Sequence, residues 1–402
     1  MRRLNLSLLL LLGTGHLVTD LAQGALPVIN LFLAEALKLS YFQVGIISLS
    51  FTFSSAIIQP VFGFFSDRIK LAWLLPLGCF LSGLGLALTG TAPAYWLLLI
   101  LVLVSGLGVA GYHPEGSKTA FLASGAENRF LSMSIFSVGG NVGIGLGPVI
   151  AYFLLGHFGL KGTVGLLAPG MAIAVIFLTV GQKINDLYRP VAGSLPERKT
   201  QPKSGVVSIP LVLIILYVTA RSWIHAGLVT YYPFYCVNYL GMDKTYASTA
   251  LTVFLMAGAL GTFLGGPIAD RWGDKAVLAG SMLFSALSIS PFVLSKSAAA
   301  GLFFAALAGA VLIATFSTTV VYGQRLLPDH VGMASGLMLG FAIGMGSVGV
   351  SVLGYLADHL GLPAVMRIIS LLPAAGLGLA LLLPHLGRPA AGQKSALKTT
   401  SG

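Results

Sequence analysis

The sequence predicts an all-α membrane protein, twelve transmembrane helices in two six-helix bundles, and three observations predict it. Composition is the first. Apolar residues make up 56% of the 402 and charged residues only 9%, and the mean hydropathy is +0.91. A soluble domain usually carries about a quarter charged residues, so this chain cannot clothe a water-facing surface, and its main solvent is lipid. The second observation is a series of twelve apolar stretches of about twenty residues, the length that crosses a bilayer as a helix. The third is a duplication. Gly63-Phe64-Phe65-Ser66-Asp67-Arg68 follows one long apolar run and Gly266-Pro267-Ile268-Ala269-Asp270-Arg271 follows another. Their aspartates are 203 positions apart, about half the chain, as two parallel repeats require.

In order, the expected spans are roughly 6–34, 42–65, 72–90, 94–121, 131–156, 162–182, 208–238, 246–268, 276–296, 299–325, 332–356 and 363–386. Internal glycine and proline do not veto these helices, because neighbours in a bundle satisfy the freed backbone groups. Met1-Arg2-Arg3 before a leucine run resembles the start of a signal peptide. It lacks a small-x-small cleavage site, and its apolar run continues past His16 and Asp20, so a retained first span is expected. Residues 183–207 form a long hydrophilic insert with Pro190, Pro196 and Pro202 among its charges, the composition of a solvated linker. The expected organisation is an N-terminal six-helix bundle over 1–182, a cytoplasmic linker over 183–207, a C-terminal six-helix bundle over 208–388 and a cytoplasmic tail over 389–402.

Orientation follows from the basic residues. With the N-terminus inside, seventeen Lys and Arg fall on the cytoplasmic side and four outside, Lys38, Lys161, Lys244 and Lys296. The positive-inside rule then places both termini in the cytoplasm of a multi-pass protein of the inner (plasma) membrane. The same distribution accounts for the net charge of +11. The basic residues lie in short loops rather than on one face, so no nucleic-acid partner is expected. Cys79 and Cys236 each fall inside a span and offer no disulfide or metal pattern.

An ionisable group at bilayer depth is costly unless paired or hydrated, so each one is a functional candidate. In span 1, His16 and Asp20 stand four apart on one helical face, and Arg221 and His225 do the same in span 7. Asp20 lies about 14 residues into its span, ~21 Å along the axis, and Arg221 about 13, so both approach mid-depth. The two pairs sit at comparable distances before Pro27 and Pro233. In a two-fold bundle these spans face each other across a central cavity, which makes Asp20 and Arg221 an acid and a base at one level. A structural ion pair is the competing reading. For His16 and His225 the alternative is helix–helix hydrogen bonding. Span 4 ends with Tyr112-His113-Pro114-Glu115 and span 10 with Tyr322-Gly323-Gln324-Arg325. Glu115 and Arg325 therefore bring opposite charges from opposite halves toward the cytoplasmic mouth, as a gate or as plain interfacial polar residues. Span 5 carries Gly139, Gly140, Gly143, Gly145 and Gly147, and span 11 carries Gly340, Gly344, Gly346 and Gly349. Such density permits close helix contact. Asn141 on that face is either a substrate contact or interhelical glue.

Twelve spans, a central loop and the duplicated signature together resemble the major facilitator superfamily over essentially the whole chain. The first copy of the signature is at Gly63, Asp67 and Arg68, and the second, at Gly266, Asp270 and Arg271, adds Gly273 and Lys275. The first departs from the pattern, with Lys70 in place of a glycine and Leu71 and Ala72 in place of basic residues. The resemblance implies that the motif aspartate locks the halves through a helix N-terminus, an anion–dipole attraction. Asp67, Arg68, Asp270 and Arg271 thus join Glu115, His113 and Arg325 as expected gating residues. Gly143-x-x-x-Gly147-Pro148 matches part of the glycine–proline motif of proton-coupled drug exporters, but Ser134 stands at the leading glycine and Val102 where those exporters carry an arginine. A narrower resemblance fits better. Gly15-His16-x-x-x-Asp20-x-x-Gln23, His113-Pro114-Glu115, Gly139-Gly140-Asn141 and Arg221-Ser222-Trp223 look like the fosmidomycin resistance proteins, which implies efflux in exchange for protons.

Nothing in the sequence matches Gly-x-Ser-x-Gly, His-Glu-x-x-His or a nucleotide-binding motif, so neither an enzyme nor a cofactor is expected. The expected function is a secondary transporter that exchanges protons for a small, anionic compound such as a fosmidomycin-like drug, by alternating access. Proton-coupled uptake of an organic anion or metabolite is the alternative. Asp20 and His16 are the expected proton-coupling groups, and Arg221, His225, Gln23 and Asn141 the expected substrate contacts. The expected partners are the substrate, protons and the bilayer, with a monomer as the working unit.

Overall fold

The computed structural model describes residues 5–68, 71–123, 129–188, 208–327, 334, 337–338 and 342–385, and among them every regular element is helical. In chain order these are α1 (Leu6–Leu37), α2 (Tyr41–Thr52), a π turn (Phe53–Ile57), α3 (Gln59–Arg68), α4 (Leu74–Thr89), α5 (Tyr95–Ala123) and α6 (Arg129–Phe158). A 3-10 stretch (Gly159–Leu166) leads into α7 (Leu167–Leu187). Then come α8 (Ile209–Asn238), α9 (Lys244–Trp272), α10 (Asp274–Leu294), α11 (Ala298–Ile313), α12 (Thr315–Leu326), α13 (Ala342–Leu360) and α14 (Leu362–Leu382). Nine apolar segments among the described residues are long enough to cross a bilayer. One of them, Ile135–Leu187, holds both α6 and α7. With α4 and α13 as two further rods, the helices are consistent with twelve spans.

Local chemistry sets the ends. The Asn5 side chain accepts the Leu8 N–H at 3.2 Å and starts α1, which stops at Lys38 in the left-handed region. Ser40 and Gln43 form a reciprocal capping box at the start of α2, satisfying two backbone donors that a helix start leaves orphaned. Pro60 has no N–H and crowds the carbonyl four residues back, and the second rod widens into a π turn just before it. Gly273 joins α9 to α10 with φ at 92°, a backbone conformation that a side chain would strain.

The end of the bundle where α1 begins is called proximal here and the opposite end distal. Glycine sets the tightest packing. A Cβ on Gly139, Gly143 or Gly147 of α6 would run into the backbone of Gly13, Leu17 or Gly24 of α1, so the two helices touch main chain to main chain. Across the middle of the molecule α2 packs on α13 and α6 on α9. At the distal end several hydrogen bonds join the helices before Tyr188 to those after Ser208. Asp358 of α13 accepts the Tyr41 N–H at 2.7 Å and the Phe42 N–H at 2.9 Å. Tyr231 bonds the carbonyls of Val350 at 2.7 Å and Tyr41 at 3.1 Å. Asn238 meets the Tyr41 hydroxyl, Thr245 the Tyr152 hydroxyl, and Lys244 pairs with Glu35. The structure is therefore a distal-closed state.

Two boundaries differ from expectation. The linker was expected from residue 183, but α7 continues to Leu187 because Ile184 is buried and Tyr188 is hydrogen-bonded to Glu115. Residues 189–207 of the linker and 389–402 of the tail lie outside the described residues. The tenth rod is broken at Ala314, between α11 and α12. Most of the first part of the eleventh expected span, residues 332–333, 335–336 and 339–341 with Gly340 among them, also lies outside the described residues.

Candidate functional site

Asp20 of α1 is 4% exposed and held between two imidazoles. The His113 Nε2 of α5 lies 2.8 Å from its Oδ1, and the His16 Nε2 lies 3.1 Å from its Oδ2. One helical turn back on α1, His16 presents its Nδ1 to the Phe136 carbonyl of α6 at 2.7 Å, and its ring stacks on the Phe136 ring at 4.2 Å. Gly140 of α6 closes the cluster from one side, and a Cβ there would strike both the His16 Nε2 and the Asp20 carboxylate. The bare backbone is what lets α6 come so close. Three potential ligating atoms thus lie within 4.8 Å of one another, although no sequence spacing pointed to a metal. Each of those atoms is engaged by another member of the cluster, so its form is that of a hydrogen-bonded triad.

The histidine from α5 corrects the sequence reading. His113 was expected at the mouth as a gating residue beside Glu115. α5 continues to Ala123, ten residues further, or ~15 Å at 1.5 Å per residue. His113 therefore lies within the rod, at the level of Asp20.

Arg221 occupies the corresponding region of α8. It is buried at 7% exposure, and its guanidinium lies over the Phe316 ring of α12 at 5.4 Å. Among the described residues it forms no ion pair. The Asp20–Arg221 ion pair, the competing reading of the sequence, does not form among the described residues in this state, where Asp20 is held by two histidines. His225 follows one turn later, beside Phe254 at 5.7 Å. Gln23 is exposed one turn distal to Asp20, and Asn141 is exposed next to Gly140.

Glu115 is fully buried. Ser66 of α3 donates to its Oε2 at 2.5 Å, Tyr188 donates to its Oε1, and Thr119 meets Tyr188 at 2.6 Å. Lys118 reaches the Ser66 carbonyl. Burial pushes the Tyr188 hydroxyl well above its ordinary pKa, and the Glu115 carboxylate beside it adds to the rise, so Tyr188 stays a donor. Arg325 instead pairs with Asp274 of α10 at 2.5 Å, and Tyr322 donates to the Pro384 carbonyl. In this conformation neither charge of the expected gate faces the other. The side chains of Asp67, Arg68 and Asp270 lie outside the described residues. Arg271 is exposed and has a contact of its own. Ser66, Tyr188 and Asp274 escaped the sequence reading, since nothing local marks a serine, a tyrosine or a first-turn aspartate as a partner for a residue 49 to 73 positions away.

Apolar helices long enough to cross a bilayer, with a buried acid on α1 and a buried base on α8, are what a membrane transporter of small solutes presents. The chain belongs to the Major Facilitator Superfamily, whose sequence model matches residues 12–338 and 236–400. That family transports and does not catalyse. Among its relatives, the fosmidomycin resistance protein of Escherichia coli is 33% identical over 93% of this chain and 91% of its own. The MFS-type transporter YfnC of Bacillus subtilis is 38% identical over 94% of this chain and 92% of its own. Solved structures share the fold. The nucleoside transporter NupG aligns with a TM-score of 0.75 at 11% identity, covering 94% of this chain and 99% of that one. A bacterial homologue of the human lysosomal transporter Spinster, in an inward-facing, occupied conformation, aligns at 0.70 and 17% identity over 93% of each chain.

Proposed function

We propose that this transporter is a proton-coupled exporter of small anionic compounds of the fosmidomycin type, with both termini in the cytoplasm. One observation carries the reading: a buried arginine on α8 with no acidic partner among the described residues, set against a buried carboxylate cluster on α1. A guanidinium taken out of water needs an anion, and its planar fork suits a phosphonate or carboxylate held by two hydrogen bonds. The cluster around Asp20 is the group that titrates. Cargo at Arg221 and protons at Asp20 act on one rocking equilibrium, so each changes the affinity for the other. The full-length likeness to a fosmidomycin resistance protein supports the direction and the kind of cargo. Export of an anion is also helped by the inside-negative potential, by about 2.3 kcal/mol per charge per 100 mV.

The bundle before the linker, the bundle after it and the rocking between them follow the repeat, with binding near mid-depth. Gln23 and Asn141, exposed near the cluster, are the proposed further substrate contacts on that side, and His225 is the one beside Arg221. The test is a deletion and overexpression pair scored for fosmidomycin resistance, together with everted vesicles under an imposed pH gradient. Overexpression should raise resistance, and vesicles acidified inside should accumulate drug. Accumulation that ignores the gradient, or that runs the opposite way, would overturn the proposal.

A further inference from the structure

We infer that the proton-binding unit is the whole cluster His16–Asp20–His113, that it holds one bound proton in this distal-closed state, and that the Phe136 carbonyl enforces this count. The inference rests on the proton-coupled reading and deepens it. A carbonyl oxygen only accepts, so the contact at 2.7 Å places a hydrogen on the His16 Nδ1. A neutral imidazole has one N–H. With Nδ1 committed, the other nitrogen of neutral His16 would turn a lone pair toward a carboxylate oxygen 3.1 Å away, which repels it. One added proton, on either atom, turns that contact into an attraction. The second contact needs none: neutral His113 can donate from Nε2 to Oδ1 at 2.8 Å.

The surroundings agree with that count. Among the described residues, the ionisable groups beyond the three members that face the site are Cys79 of α4 and Tyr112 of α5, and both donate to backbone carbonyls, of Gly15 and Leu12. α6 contributes the Phe136 ring and carbonyl and the bare Gly140, and α7 contributes Phe177. On α8 the charged group is Arg221, over Phe316. Stacking on Phe136 favours a charged imidazole ring, since an aromatic face attracts a cation.

Proton loss then has a mechanical consequence. The repelled His16 and Asp20 separate, and Gly140 of α6 packs directly against both of them. α6 also meets α9 across the interface, where Met256 lies against Gly145. The cluster therefore acts on a helix that bridges the two halves. His113 is a positioning residue that orients Asp20 toward His16. A proton-exchanging exporter must return to its distal-closed state carrying a proton, and the geometry of this state matches that limb.

The test needs neither cargo nor gradient, so it can fail while the export proposal stands, and the reverse. Purified protein carrying a reporter cysteine at Leu31, buried at the distal end beside Phe234 and Val237, is labelled with a thiol reagent across a pH series. Rates are normalised to the reagent's own pH dependence, and Cys79 and Cys236 are replaced by alanine. Wild-type labelling should rise as pH rises, through a single transition with a one-proton slope. In His16→Gln the amide donates to Asp20 without titrating, so the transition should vanish and the distal end stay closed. His113→Ala should move the transition to higher pH by about one unit, the scale of losing one hydrogen bond to a charged group. His113→Gln, which keeps a donor, should restore it. A flat wild-type profile, a two-proton slope, or an unchanged transition in His16→Gln overturns the inference. Should a variant fail to fold, the wild-type slope still decides the proton count.

Discussion

Asp20 has its neighbours chosen by backbone as much as by side chains. Gly140 leaves room for it, and the Phe136 carbonyl fixes the tautomer of the histidine beside it. Asp20→Asn preserves shape and removes the titrating carboxylate. Uphill transport on an imposed pH gradient should then be lost, while exchange of labelled for unlabelled drug partly survives. Continued uphill transport in that variant would rule out Asp20 as a coupling group. Arg221→Lys makes a complementary case. The charge remains and the planar fork is lost, so drug binding read by thermal shift should weaken at least tenfold, the equivalent of about 1.4 kcal/mol. Unchanged binding would remove Arg221 from the anion site. The burial of both was legible in the sequence, because an ionisable group about fourteen or thirteen residues into an apolar span is conspicuous by depth alone. His113 was legible only as a gating candidate at the mouth. Its role depends on how α5 lies against α1, and no spacing along one helix encodes that.

Helices carry their share through their ends and their bare faces. The α1–α6 contact depends on Gly139, Gly143 and Gly147, and the glycine density of span 5 announced a close contact without naming α1 as its partner. Gly143→Val should prevent that approach, and because the neighbour is backbone it cannot yield. Overpacking of this kind costs about 1–3 kcal/mol or more, so a clear loss of melting temperature and yield is expected; a normal melting curve would mean the helices sit further apart than described. The distal lock works differently. Asp358 accepts two N–H groups at the start of α2, where the helix dipole also favours an anion. Hydrogen bonds to a charged group contribute about 1.5–3 kcal/mol each, and exposure places this pair at the low end. Asp358→Ala should therefore raise thiol labelling at the distal end severalfold, and a labelling rate equal to wild type would show that the lock lies elsewhere. Nothing in the sequence singled out Asp358. An acid at a helix end becomes a lock only when a helix start from the other half arrives opposite to it.

For the molecule as a whole, the question is whether the halves exchange partners when they rock or keep them. The sequence placed Glu115 and Arg325 at equivalent ends of spans 4 and 10 and so suggested a gate across the proximal mouth. The structure ties each within its own half, Glu115 to Ser66 and Tyr188, and Arg325 to Asp274. Bringing the two together in a distal-open state would give up both hydroxyl bonds to a fully buried carboxylate, about 1.5–3 kcal/mol apiece. An ion pair at a wet mouth returns only about 0–1 kcal/mol. Keeping the partners wins, so the halves should move as bodies with these clasps intact. Glu115→Gln and Arg325→Gln should then each lower the melting temperature, with little change in labelling of cysteines placed at the proximal mouth. The charge swap Glu115→Arg with Arg325→Glu should be worse than either single change, because it buries an arginine between two hydroxyl donors. If the swap instead restores the proximal-closed population that the single variants lose, the two residues do meet, and the gate suggested by the sequence is the better description.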